Sequence, residues 1–287
     1  MNKLLGTGNV DYVIAIDTDS VYINFGPMVE QMGLTDKAQT VKVLDEVAEK
    51  KFLPVIEKAY KQLAVYMNAY ENKMVMGREV IADTGVWTAK KRYILNVHNS
   101  EGVQYAKPKL KIMGIEAVKS STPMSCRDAL KGLFNVMMTQ TEGDTQKAIK
   151  MFRNHFNGLG AHEIAFPRGV SELAKWKDRD KVYTSGTPIN SRGSLLYNKM
   201  VEDLGLTKKY DLIKEGDKIK FVYLDPKNPI KENVIAFPEY LPKEFGLDKY
   251  VDRDLQFEKA FLTVVRPVLD AMEWREEEVV SLEDFFG

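Results

Sequence analysis

Apolar and polar positions follow two periods along this chain, a strand-like one up to about residue 115 and a helical one beyond it. The run Val13-Ile14-Ala15-Ile16 is short and β-branched, the pattern of a strand buried on both faces. Shortly after it, Val21, Ile23 and Phe25 alternate with Tyr22 and Asn24, the period of a half-buried strand. Between them lies Asp17-Thr18-Asp19-Ser20, so the two strands read as a hairpin with carboxylates at its tip. Past Gly26-Pro27 a long helical stretch ends near Met67. Leu53, Ile56, Tyr60, Leu63 and Met67 stripe one face of it, and Pro54 marks a kink or a fresh first turn. Such a helix is expected to cover one side of the sheet. Lys73 to Ala82 and Val86 to Val97 read as further strands. Asn99-Ser100-Glu101-Gly102 reads as a hairpin loop that returns through Val103 and Tyr105. The sum is an antiparallel sheet backed by a helix, an α+β arrangement.

From Ser120-Ser121-Thr122-Pro123 the texture becomes mainly helical. Cys126, Ala129, Leu133 and Met137 form one stripe and Ile149, Phe152 and Phe156 another, with a break expected at Glu142-Gly143-Asp144. Residues 158 to 188 are rich in Gly, Pro and Lys and read as irregular. A helix through Leu195, Leu196, Met200, Val201 and Leu204 is closed by Gly205. Ile219, Phe221 and Tyr223 alternate as a strand, and a last helix carries Phe257, Phe261, Val264, Val268 and Met272. The change of texture places a domain boundary between residues 116 and 117.

The chain has 287 residues, 44% of them hydrophobic and 29% charged, a soluble globular composition. No secretory leader or membrane-spanning run is apparent. Cys126 is the single cysteine, which rules out an internal disulfide and points to a reducing compartment, a cytoplasm. A net charge of +0 hides an uneven distribution. Residues 89 to 119 hold seven cations against Glu101 and Glu116, while the last fifteen positions are acidic.

Asp17 and Asp19 are two apart, so strand alternation points them the same way and their repulsion calls for a counter-charge. A hard divalent cation such as Mg²⁺ suits oxygen ligands of this kind. Asp and Ser are also ordinary turn residues, so the same letters describe a solvated loop tip. Lys90-Lys91-Arg92-Tyr93, preceded by Trp87, reads as the middle of a strand. Lysines there can simply protect a sheet edge. Cations beside an aromatic hydroxyl equally suit phosphate oxygens and groove-side base acceptors. An apolar strand followed by Asp-x-Asp is also how haloacid-dehalogenase-type phosphohydrolases begin. Those enzymes need a loop leading into a helix after the acids, and here a second strand follows.

Taken in order, Asp17-Thr18-Asp19-Ser20-Val21-Tyr22, Trp87-Thr88-Ala89-Lys90-Lys91-Arg92-Tyr93, Leu110-Lys111-Ile112-Met113-Gly114, Ser120-Ser121-Thr122-Pro123, and Arg192-Gly193 with Tyr197-Asn198 make up one pattern. The chain resembles family B DNA polymerases, most closely those of myovirus-type tailed phages. The resemblance implies a C-terminal part of the palm over 1–116 and a thumb over 117–287. Asp19 would be a shared ligand of two catalytic Mg²⁺ ions, with Asp17 beside them. Lys90, Lys91, Arg92 and Tyr93 would hold the primer end. Lys111, Ser120, Ser121, Thr122 and Arg192 would grip the duplex backbone. Leu282, Phe285 and Phe286, in a tail over 276–287, resemble a sliding-clamp-binding peptide, or fold back on the thumb. Ile16 departs from the pattern, standing where many relatives have Gly. No stretch matches the other palm strand and its metal-binding Asp, the fingers helix that binds the incoming dNTP, or the 3′–5′ exonuclease. The expectation is one piece of a split or cut-down polymerase, inactive alone, that needs the missing N-terminal fragment and primer–template DNA. A non-catalytic DNA- or clamp-binding module of the same ancestry is the alternative.

Overall fold

A computed structural model describes residues 1–178 and 180–278, so Leu282, Phe285 and Phe286 lie outside the described residues. The fold is α+β, with helices and several separate antiparallel sheets. The chain divides into two compact units, Met1–Lys111 and Ile112–Gly287. The division falls inside a strand, ahead of the 116/117 position read from the pattern.

In the first unit β1 (Val13–Asp17) and β2 (Ser20–Ile23) pair antiparallel, with Ile16 opposite Val21 and Asp17 opposite Ser20. They form a sheet of their own. A strand buried on both faces needs a layer packed on each face of its sheet, and among the described residues β1 pairs only with β2 in a two-stranded sheet. The expected burial is therefore not met: Val13 and Ile14 are exposed and Ile16 is 68% exposed.

Helix α1 (Gly26–Gln31) follows, then α2 (Lys37–Val47), whose Asp36 cap accepts the Gln39 N–H. One widened turn, Ala48–Phe52, joins α2 to α3 (Leu53–Tyr66). Pro54 lies in the first turn of α3 and has no N–H to offer backwards. The wide turn instead returns the Leu53 N–H to the Ala48 carbonyl. The apolar stripe of α3 covers less than its pattern promised. Leu53, Ile56 and Tyr60 are half-buried, Leu63 and Met67 are exposed, and no residue of α3 is buried.

The larger sheet has the order β3-β4-β5, with β3 at Val80–Ala89, β4 at Arg92–Ser100 and β5 at Val103–Met113. Two expectations need correcting here. Lys73 to Glu79 is irregular, and the strand starts only at Val80. The run Val86 to Val97 is not one strand either. Ala89 pairs with Arg92, so Lys90 and Lys91 are a hairpin tip, and Lys91 takes the left-handed φ of 61°. The second turn matches its reading: Glu101 and Gly102 have φ of 50° and 85°, and Asn99 Oδ1 accepts the Gly102 N–H. As the central strand, β4 buries Tyr93, Ile94, Leu95 and Val97. Lys37 ties α2 to this sheet through Asp83 at 2.7 Å, and Asn96 donates to the same carboxylate at 2.9 Å.

The second unit builds an interior of its own. Helices α4 (Met124–Thr139) and α5 (Glu142–Gly158) meet at Thr141, which caps α5 with Asp144 as its reciprocal partner. Glu142 to Asp144 is thus the first turn of a helix and not the break expected there. Within the supposedly irregular stretch, β6 (Phe166–Gly169) joins β7 (Lys218–Tyr223) and β8 (Val234–Phe237) in the order β8-β7-β6. Helix α6 (Ile189–Asp203) ends at Gly205 with a φ of 65°, as its pattern requires. A Cβ on Gly193 would stand 2.9 Å from the Ala236 nitrogen, so α6 can approach β8 only because that side chain is missing. The final helix runs from Arg253 through a wide turn at Glu258–Leu262 into α7 (Thr263–Ala271). Phe156, Phe257 and Phe261 are fully buried, with Phe152 4.7 Å from Phe261 between ring centres.

Candidate functional site

The acidic hairpin turns in two residues. Thr18 has a φ of 54°, and the Asp19 N–H closes back on the Asp17 carbonyl at 2.7 Å. Because Asp19 sits in the turn and not on a strand, period-two alternation no longer relates the two acids. Their surroundings differ. Asp17 Oδ1 accepts the Thr18 hydroxyl at 3.2 Å and lies 3.6 Å from the Lys91 ammonium. Asp19 is exposed and lines a groove together with Ile16, Val21, Tyr60, Met74 and Val75. Since β2 begins at Ser20, directly after the acids, the loop-to-helix continuation of a haloacid-dehalogenase-type site is not made.

The Lys91 contact joins two hairpins far apart in sequence. A non-glycine residue in the left-handed region costs about 1–2 kcal/mol, and here that conformation carries the ammonium to Asp17. Tyr93 follows on β4, buried, and its hydroxyl oxygen accepts from the Tyr22 hydroxyl at 2.9 Å. The Tyr93 proton is thereby left for another acceptor. Burial, reinforced by the Tyr22 hydrogen bond and by the Glu79 and Asp17 charges, holds the Tyr93 phenol well above its usual pKa. At neutral pH it is a neutral hydrogen-bonding group. Trp87 meets Tyr22 edge-on at 5.4 Å and completes an aromatic bed under the tip.

Tyr22, the last residue of the Asp17-to-Tyr22 stretch, positions Tyr93 through its hydroxyl. One participant carried no signal in the sequence. Glu79, in no motif, pairs with Lys111 and bears on Tyr93. Lys111, expected to grip a duplex, thus has a carboxylate partner within the first unit. Arg92 is the first residue of β4.

The other expected residues belong to the second unit. Ser120 is exposed. Ser121 offers its carbonyl to the Arg168 guanidinium. Thr122 is buried and gives its hydroxyl to the Glu116 carbonyl at 2.9 Å, so its side chain shapes the turn before α4. Arg192, in the first turn of α6, donates to Asn233 at 2.7 Å and stands 5.7 Å from the Tyr183 ring centre. Asn198 clamps Ile213 through both its amide atoms, at 2.8 and 2.7 Å, so the Tyr197-Asn198 pair is structural.

No protein-family model matches the chain. The DNA-directed DNA polymerase of Enterobacteria phage T4 is 33% identical to it over 302 aligned positions that take in 100% of the chain. That of Escherichia phage RB69 is 32% identical over the same extent. The chain is a piece of a phage-type DNA polymerase. It spans only 33% of the length of either relative. Against that kinship the acidic hairpin offers the right donors for a hard divalent cation but too few of them. Among the described residues no three His, Cys, Asp or Glu side chains gather closely enough to hold a metal ion. Asp17 and Asp19 therefore do not make a metal site by themselves within the described part of this chain. No helix among its described residues is long and apolar enough to cross a membrane.

Proposed function

We propose that this chain is the C-terminal third of a family B DNA-directed DNA polymerase, the end of the palm followed by the thumb. It works in two-metal nucleotidyl transfer only when the remaining polypeptide supplies the exonuclease, the fingers and the rest of the palm. In this reading Asp19, with Asp17 beside it, contributes carboxylate oxygens to a Mg²⁺ site that the remainder completes. When bound, the metal would neutralise charge that develops as the incoming dNTP is joined to the primer. Lys90, Lys91 and Tyr93 face the primer end, while Ser120, Ser121 and Arg192 contact the duplex backbone. The tail residues Leu282, Phe285 and Phe286 engage a sliding clamp, and the setting is the cytoplasm of an infected cell.

The observation that carries the reading is the meeting of Lys91 with Asp17 at 3.6 Å, which sets the basic tip against the acidic one. A site for a negatively charged strand with a reacting end needs both signs of charge side by side. The exposed apolar groove beside Asp19 supports the need for a further polypeptide there.

The test is reconstitution. The chain and a polypeptide covering the other two thirds of the polymerase are assayed separately and mixed, on a primer–template with Mg²⁺. Extension is expected only from the mixture, and Asp19→Ala should lower it at least ~10³-fold, a loss of about 4 kcal/mol of barrier lowering. Undiminished extension by that variant rejects the metal role. Extension absent from every mixture, with DNA binding intact, favours the non-catalytic module.

A further inference from the structure

We infer that the row Tyr105, Lys107, Lys109 on β5 is a track for the phosphate backbone of a nucleic-acid strand, an inference that rests on the polymerase reading above. The strand β5 lies at one edge of the β3-β4-β5 sheet. Residues two apart share a face of a strand and stand about 7 Å apart along it. Tyr105, Lys107, Lys109 and Lys111 therefore form one file. The Lys109 ammonium lies 4.2 Å from the centre of the Tyr105 ring, which places that pair on a common face.

The charges in this file are not equivalent. Lys111 is engaged by Glu79. Lys107 and Lys109 are exposed, and neither has a carboxylate partner among the described residues. Pro108 between them has no N–H, so the backbone offers no strand-pairing donor there, as suits an edge that is to receive something other than another strand. Two unneutralised ammoniums on a rigid strand, held at a fixed spacing, suit anionic oxygens repeating along a line. Phosphates are such a ligand, and a lysine meets them as a point charge. Bases are not favoured, because the one aromatic ring in the file is half-buried and covered by Lys109.

The experiment measures binding of a fluorescent primer–template to the whole chain over a series of salt concentrations. It compares the unaltered protein with the Lys107→Gln/Lys109→Gln double variant and a Lys107→Arg/Lys109→Arg control. Each released phosphate contact removes about 0.7–0.9 from the slope of log affinity against log salt. The Gln variant should therefore show a slope shallower by about 1.4–1.8, and the Arg control should keep the original. Failure of the unaltered chain to bind in a salt-dependent way would sink the polymerase reading and this inference with it. Normal binding by the unaltered chain with an unchanged slope in the Gln variant overturns the track alone. So does a Gln variant that aggregates but binds DNA as before, since the lysines would then only protect the edge. Lost binding to polyglutamate with an unchanged DNA slope would assign the row to an acidic protein surface, and likewise overturns it.

Discussion

The two units spend their apolar residues in opposite ways. In the second, the last helix drives Phe257, Phe261, Val264 and Val268 into an interior it shares with α5, and its sheet buries every residue of β8. In the first, α3 has no buried residue at all, and Val65, Tyr66 and Val75 are 82, 84 and 93% exposed. Three more apolar side chains, Val13, Ile14 and Ile16, stand open on β1. Scattered exposed apolar residues are ordinary, but a helix and a strand in one small unit that both show apolar faces mark a surface awaiting cover. The second unit is sufficient to itself. The first buries its apolar residues around β4 but leaves those of α3 and β1 open, which agrees with a chain spanning 33% of its relatives' length.

That contrast sets the largest expected effect. Phe261→Ala should cost the second unit about 3–5 kcal/mol, because a fully buried ring leaves a cavity. Urea unfolding followed by circular dichroism reads it. The paired substitution Val65→Glu with Tyr66→Ser, on exposed positions, should stay within about 0.5 kcal/mol in the same assay. It should nevertheless weaken association with the remaining polypeptide at least ~10-fold, as truncated interface anchors do. Stability lost at Val65 and Tyr66 would mean that α3 is already packed, and the contrast would fall. Gly193→Ala comes next. Its Cβ meets backbone at 2.9 Å, and the strain should cost about 1–3 kcal/mol.

The same contrast explains what could be read from the letters. Gly205, Gly102 and the alternation over Ile219 to Tyr223 were legible because each signal is local: a residue that tolerates positive φ, or a period that one sheet face enforces. The burial of β1 was misjudged because its apolar run is a statement about layers packed on its faces, and among the described residues β1 pairs only with β2 in a two-stranded sheet. The Lys90–Lys91 turn was invisible since nothing in it is a turn former, and an apolar run on either side looks continuous. The strands β6 and β8 are four residues each, too short for a period to declare itself. Of the site, the acids and cations were legible by type. Tyr22 was legible only as the end of the Asp17-to-Tyr22 stretch and Glu79 not at all, because only the fold brings them to Tyr93.

A smaller effect tests whether the Lys91 conformation is held for function. Asn tolerates a positive φ better than Lys, so Lys91→Asn should raise the stability of the first unit by up to ~1 kcal/mol. The same change should weaken primer–template binding, most at low salt, because an ammonium is lost. A substitution that stabilises the fold while it harms binding is the signature of a residue kept in a costly conformation for its charge. If Lys91→Asn leaves binding untouched, the tip is only a turn.

The smallest effect is a silence, and it separates the units most cleanly. Cys126 lies fully buried in α4, and burial pushes its thiol up to about 12. An unfolded cysteine ionises near 8.5. Between those values the unfolded chain binds fewer protons than the native one, so this group makes stability fall as pH rises from about 8.5, with the fall ending near the native value. At pH 8 the native thiolate is scarce and shielded, and alkylation by iodoacetamide must await opening of the second unit. Phe261→Ala should speed that reaction in proportion to the stability it removes. The Val65→Glu/Tyr66→Ser variant should leave the rate unchanged, since its substitutions sit where nothing is yet buried. A faster reaction in the surface variant would mean that the two units open together, and the self-sufficiency argued for the second would be lost.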